Sequence, residues 1–408
     1  MPIKTKMVYI YIKVKENDPI YDIFLEIYPD ILAFDISRNI TNGISMVSRE
    51  AHTEDSNLRI SDSVLLTIVE KISENNSEGV FTCGFYEKIS LLCGALNKKY
   101  ISWITSPLDG DVYSFSVKNG WNTVYVAVPE LYSKYKKLGT ENIHYMPLGY
   151  DFEPRPNVTP YFCNSEESDN GTIFYVDGLN MSPNLSTKLS ELKDATKGYL
   201  SAVTEAVRGN LELNVCEDDF PQYIKNDLEE KYPYIKNSIA SKADYYNDQF
   251  FYPEIDASIG YIYVHYMISV KALRTITFAM YKELPYTNKE LSRISAEDLK
   301  VHGYQALSTY SIVVYFSKFS DKGMITEELW NILASGAFVL CSYNTDLAIL
   351  GDDGPVTFKN LYDMECKLHK YLKNPNERQR IASRVQKKVL ECGNIKDRIS
   401  TIVESIES

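Results

Sequence analysis

The sequence predicts an α/β protein of two Rossmann-type domains facing a cleft. Three observations lead there. Short apolar strands alternate with amphipathic helices through residues 1–150, a proline- and turn-rich stretch follows at 151–170, and the alternation returns before the end of the chain. Strand and helix in alternation specify a mostly parallel sheet covered on both faces. The returning part contains W-N-I-L-A-S-G-A-F-V-L at Trp330 to Leu340, a helix that ends in small residues and passes directly into an apolar strand. In a doubly wound sheet such a junction is expected to bring polar helix ends close to a ligand at the edge of the strands.

The elements follow in order. Strands are expected at Met7 to Val14, Ile31 to Asp35, Gly79 to Cys83, Tyr100 to Ile104, Thr123 to Val128 and Ile143 to Pro147. Helices fall between them at Ser61 to Ser73, Lys88 to Leu96 and Pro129 to Leu138. Residues 151–170 hold several prolines and turn formers and read as an interdomain linker. The second domain, 171–385, opens on a strand at Thr172 to Gly178 and carries a Tyr- and Asn-rich helical insert at 185–285. Within the insert, Lys188 to Val207, Gln222 to Lys231 and Ile259 to Lys282 have helical spacing of apolar residues. Alternation resumes with strands at Ser311 to Ser317, Ala337 to Ser342 and Pro355 to Lys359, and helices at Glu327 to Leu333 and Leu361 to Leu372. The tail is amphipathic and helical from Pro375 to Glu407, and its last part, 386–408, is expected to pack back on the first domain.

Composition narrows the function. The chain has 408 residues, 44% hydrophobic and 24% charged, enough for two substantial cores. A net charge of -12 and a pI near 5.1 argue against a nonspecific nucleic-acid binder or a protein drawn to anionic membranes. No run approaches the roughly 18 to 20 apolar residues of a transmembrane helix. The start, M-P-I-K-T-K-M-V-Y-I-Y-I-K-V-K, lacks the apolar core and cleavage site of a signal peptide, so a cytoplasmic protein is expected. Seven cysteines without a C-x-x-C pair read as reduced thiols, and five histidines show no H-x-x-x-H or H-E-x-x-H spacing. No metal site and no cofactor are expected.

The local motifs resemble one family. The helix-turn-strand N-I-L-A-S-G-A-F-V-L, the passage C-S-Y-N-T-D-L-A-I-L-G-D-D-G-P-V-T-F-K-N-L and the helices Y-L-K-N-P-N-E-R-Q-R-I-A-S-R-V-Q-K-K-V are similar, in order and spacing, to the CgeB-like (spore-maturation type) GT-B glycosyltransferases. Upstream, V-F-T-C-G-F-Y-E-K-I-S-L-L-C-G-A-L-N-K-K-Y-I-S-W-I-T-S-P-L-D-G-D-V and I-H-Y-M-P-L-G-Y-D resemble the first domain of the same group. The resemblance implies a GT-B-like fold and metal-independent transfer of a sugar from a nucleotide-sugar donor held by the second domain. The acceptor, a glycan, protein or small molecule, would lie against the first. A nucleotide diphosphate is a substrate suited to backbone N–H groups and helix N-termini at the carboxyl ends of strands.

Residue by residue, the resemblance gives donor-side candidates Asp177, Gly178, His302, Tyr304, Glu327, Glu328, Asn331, Ser335 and Gly336, and acceptor-side candidates Trp103 and Ser106. Asn331 stands where the family places the carboxylate expected to bind ribose hydroxyls; an amide there both accepts and donates. Glu328 replaces a frequent arginine, putting an anion beside a diphosphate. Ser106 aligns with the family's aspartate in W-x-x-D-S-P, and serine is no general base at neutral pH without an activating partner. Asp109 substitutes only if that turn is shifted. Cys392-Gly393-Asn394 replaces an H-T-Y. Two readings follow: a glycosyltransferase, or a catalytically silent GT-B scaffold acting as a binding or accessory protein.

Overall fold

The computed structural model of the chain describes residues 9–14, 18, 20–29, 31–37, 60–107, 111–152, 172–176, 188–213, 220–234, 239–269, 276–280, 292–295, 304–309 and 311–407. They form two units: Met1–Leu148 with Asn237–Ile239 and Ile395–Ser408, and Gly149–Lys236 with Ala240–Asn394.

The first unit is built on six parallel strands, β1 (Tyr9–Lys13), β2 (Leu32–Asp35), β3 (Gly79–Cys83), β4 (Lys99–Ile104), β5 (Asn122–Val126) and β6 (Ile143–Tyr145). Their order, β2-β1-β3-β4-β5-β6, reverses direction between β1 and β3. β3 is buried along its whole length, as a central parallel strand covered on both faces must be. Around the sheet lie α1 (Tyr21–Ile27), α2 (Asp62–Glu74), α3 (Glu87–Ala95) and α4 (Pro129–Lys137). Ser61 caps α2 by accepting the Val64 N–H, and Val64, Ile68 and Ile72 recur at helical spacing on its buried face. Tyr11, Phe24 and Phe81 meet with ring centroids 4.7 to 5.0 Å apart and seal β1 and β3 against α1.

The second unit has its own six-stranded parallel sheet: β7 (Thr172–Val176), β8 (Ile276–Met280), β9 (Ser292–Ser295), β10 (Ile312–Tyr315), β11 (Val339–Ser342) and β12 (Val356–Phe358). Its order, β12-β11-β10-β7-β8-β9, is that of the doubly wound dinucleotide-binding sheet, with the reversal between β7 and β10. Between β7 and β8 the chain inserts α5 (Asp194–Gly209), α6 (Gln222–Lys231), α7 (Lys242–Tyr246), a π-turn at Asn247–Phe251 and α8 (Tyr252–Ser269). Phe220 stacks on Phe251 at 4.5 Å to close this helical layer. After β10 come α9 (Glu327–Ala334), α10 (Leu361–Leu372), α11 (Pro375–Cys392) and α12 (Ile395–Glu407).

Three boundaries differ from the sequence expectation. The helical spacing read through Ile259 to Lys282 breaks, because 276–280 is strand β8; the insert therefore ends ahead of 285. The β-branched and aromatic run Thr275 to Phe278 suits a strand and outweighs the apolar period. The tail read as continuous helix is cut at Gly393, whose φ of 95° only glycine holds without strain. α11 thus stays in the second unit, and only α12 joins the first, packing against α1 with Ile395, Ile399 and Ile402 buried. Short helix α1 and a 3₁₀ turn at Phe115–Lys118 lie where the sequence reading placed neither. Of the expected linker, only Asp151 and Phe152 fall within the described residues. Two Rossmann-type units in succession, a helical insert in the second and the last helix returned to the first, make a GT-B-like fold.

Candidate functional site

In a doubly wound sheet the ligand crevice lies outside the carboxyl ends of the strands, where their order reverses. Here that point is the edge formed by β7 and β10. β10 runs there into a loop, 316–326, that leads to α9. Neighbouring strand β11 ties the loop down: the Ser317 N–H donates to Ser342 Oγ at 2.7 Å, and the Asn344 amide donates to Ser317 Oγ at 3.3 Å and to the Met324 carbonyl at 2.8 Å. The Asp346 N–H closes on the Gly323 carbonyl at 3.0 Å. Thr326 caps α9 by accepting the Leu329 N–H, while its hydroxyl pairs with Tyr315 at 2.8 Å.

The helical insert grips the same loop from the other side. Asp256 accepts the Phe319 N–H at 2.6 Å on one oxygen and the Ser320 N–H at 3.0 Å on the other. Its carboxyl is raised from the ordinary range by burial, against which these hydrogen bonds act. Lys322, in the left-handed region at φ 52°, sits with its ammonium 2.8 Å from Asp248. The two side chains are 1% and 11% exposed, so the pair is enclosed. Burial also pushes the Cys341 thiol up to about 12, which makes it an inert core thiol.

The expected donor residues divide. Glu327 and Glu328 occupy the first turn of α9, beside the loop, where carboxylates suit the helix dipole. Asn331 lies midway along α9, 1% exposed, and its side-chain oxygen accepts the Asp151 N–H at 2.7 Å. Tyr304 is buried against Phe152, with ring centroids 6.1 Å apart. Asn331 and Tyr304 are therefore brought together by the segment 150–152. Ser335 and Gly336 stand elsewhere than expected. They precede β11, which puts them towards the amino edge of a parallel sheet, opposite the edge that takes ligands. Their small size serves packing: Gly336 has φ 81°, and a Cβ there would meet the Gln386 side chain at 3.0 Å. Gln386 in turn donates to the Ala334 carbonyl at 2.9 Å. Tyr304 also precedes its strand, β10, and shares that edge. Asp177, Gly178, His302 and Asp109 lie outside the described residues.

On the first unit, Trp103 is a core residue, fully buried with its indole N–H on the Met146 carbonyl at 3.1 Å. Ser106 follows β4 at the carboxyl edge, partly exposed. At the start of α3 the structure shows a carboxylate that the sequence reading missed. Asp111 accepts the Glu87 N–H at 2.8 Å, capping α3 from outside the helix, and burial raises its pKa. The only sequence signal was its place in S-P-L-D-G-D, two residues past Asp109. Among the described residues, no group of three or more His, Cys, Asp or Glu comes together to hold a metal.

Residues 281–404 match the family described as glycosyl transferase-like. The glycosyl transferase-like region takes in β10, its loop, α9, β11 and α11, and so carries Tyr304, Glu327, Glu328, Asn331, Ser335 and Gly336. A comparison with curated proteins gives no match. Among solved structures, the chain is similar to Anabaena HepE in complex with UDP, at 9% identity over 98% of this chain and 99% of that one, TM-score 0.49. Sucrose-phosphate synthase from Thermosynechococcus elongatus is 9% identical over 98% and 88%, TM-score 0.47. A glycosyltransferase from Rickettsia africae is 9% identical over 98% and 97%, TM-score 0.45. Among the described residues no helix is long and apolar enough to cross a membrane.

Proposed function

We infer that the chain is a glycosyltransferase of the CgeB-like type, taking a sugar from a nucleotide-sugar donor at the β7/β10 edge and passing it to an acceptor hydroxyl. What carries the reading is the family match at 281–404, which falls on the strand and loop at the point where ligands enter such sheets. In the transfer the acceptor oxygen bonds to the anomeric carbon, the bond from that carbon to the diphosphate breaks, and the acceptor proton passes to a base. Fixed backbone dipoles at strand ends suit the charge that develops on the leaving diphosphate, without a metal held by the protein. A cytoplasmic setting belongs to the same reading.

Calorimetric titration with UDP, GDP, CDP, ADP, dTDP and their sugar conjugates tests it. Saturable binding of one nucleotide, with turnover of its sugar conjugate in the presence of acceptor extracts, is the expected result. Folded protein that binds none of them overturns the donor site. A second reading, a silent scaffold, is favoured by one observation: the Asn331 oxygen expected to face ribose is engaged by the Asp151 N–H. Binding without turnover or hydrolysis would decide for it.

A further inference from the structure

The helical insert does more than thicken the second unit. Two of its carboxylates, Asp248 and Asp256, reach two points on the loop that leaves β10. α7, the π-turn and α8 form one continuous helical stretch, 242–269. In a regular α-helix, residues eight apart are turned about 80° from each other, since each residue advances about 100°. A π-turn absorbs one extra residue, so the pair behaves as if seven apart and returns to within about 20° of one face. The π-turn Asn247–Phe251 starts one residue before Asp248 and ends ahead of Asp256, and so lets both carboxylates meet one loop.

What they hold is backbone shape. Asp256 binds the N–H groups of two successive residues, Phe319 and Ser320, at 2.6 and 3.0 Å. Asp248 meets the Lys322 ammonium at 2.8 Å, and the Tyr252 ring lies 5.9 Å from that ammonium. Lys322 is the residue at φ 52° that turns the loop towards α9. Enclosing an ion pair costs desolvation, and packed apolar residues would join insert to sheet at least as well. Charges add direction: they fix which way the N–H groups and the left-handed turn face.

We propose that Asp256 and the Asp248–Lys322 pair are positioning residues, through which the insert sets the β10–α9 loop in the shape that receives the nucleotide-sugar donor. The inference rests on the functional reading above. It makes the insert part of the donor site without contact to the donor's reacting atoms.

The test uses the full chain and Asp256→Ala, with Asp256→Asn beside it because its amide oxygen still accepts one N–H if the alanine variant does not fold. Hydrogen exchange at 318–324 is expected to quicken in the variants while β10 and β11 stay protected, and formate is expected to slow it again in the alanine variant by filling the carboxylate's place. Affinity for the best-binding nucleoside diphosphate of the panel is expected to fall about tenfold at a temperature where the variants stay folded. Lys322→Met is expected to lose affinity in the same way. Unchanged exchange overturns the proposed hold on the loop. Quickened exchange with wild-type affinity leaves a merely structural contact and overturns the positioning role alone. A wild-type chain that binds no nucleotide overturns the donor site and this role together.

Discussion

The side-chain oxygen of Asn331 accepts the backbone N–H of Asp151 at 2.7 Å, inside a helix position that is 1% exposed. This bond fastens the start of the 150–152 segment to α9 through a residue that the family resemblance assigns to ribose. Asn331→Ala removes this acceptor, and a hydrogen bond of this kind contributes about 0.5–1.5 kcal/mol net. A matching fall in urea-unfolding free energy is expected. Asn331→Asp keeps an acceptor but encloses a charge. Burial raises such a carboxyl in the folded state, so the destabilisation is smallest at acid pH and grows as pH rises through the folded pKa. Equal destabilisation of the aspartate variant at pH 4 and pH 7 would contradict this account.

Asp111 gives a second prediction in the same currency of protonation. Its pKa is raised from the ordinary carboxylate range, first by burial and further by the Glu87 charge, while the Glu87 N–H bond and Lys88 pull the other way. The folded chain then binds this proton more tightly than the unfolded chain, and stability from this group is lost as pH rises through the raised value. Asp111→Asn keeps an oxygen for the Glu87 N–H and removes the charge. Its melting temperature should exceed wild type at neutral pH and converge with it below the ordinary carboxylate range. A gain that persists undiminished at pH 3 would show that charge burial is not the cause.

Much of this was legible in the chain, for a reason that particular residues show. Gly79 to Cys83 and Ala337 to Ser342 carry apolar runs that follow turn formers, and such runs become buried parallel strands wherever the sheet puts them. The β7/β10 edge follows from the order of strands, which pattern alone does not give. Ser335 and Gly336 carried a recognisable motif, yet a turn from helix into parallel strand stands at the amino edge, so their geometry belongs to packing with Gln386. Asp248 and Asp256 were invisible because their partners, Lys322, Phe319 and Ser320, lie 63 to 74 positions along the chain and meet them only after folding. Asp111 escaped notice for the same reason: a cap supplied from 24 residues away leaves no local signature.

Gly336 offers a test of that packing role. Its φ of 81° costs a residue with a Cβ about 1–2 kcal/mol, and the new Cβ would also press Gln386 at 3.0 Å. Gly336→Ala should destabilise the chain by at least the backbone term while leaving affinity for nucleotides unchanged, since the turn faces away from the ligand edge. Lost affinity with preserved stability would return Gly336 to the donor site.

The two fully buried tryptophans should respond differently to one substitution. Trp103 donates its indole N–H to the Met146 carbonyl at 3.1 Å, whereas the Trp330 N–H is enclosed without a hydrogen-bond partner among the described residues. Replacing either by phenylalanine removes ring volume and leaves a void of similar chemistry. At Trp103 the change also strands a buried carbonyl, while at Trp330 it relieves a donor that already bears its desolvation penalty. Trp103→Phe should therefore cost more than Trp330→Phe, by about 1–3 kcal/mol in unfolding free energy. Denaturant titration of both variants at one pH measures the difference, and equal losses would mean that void formation outweighs hydrogen bonding at both sites.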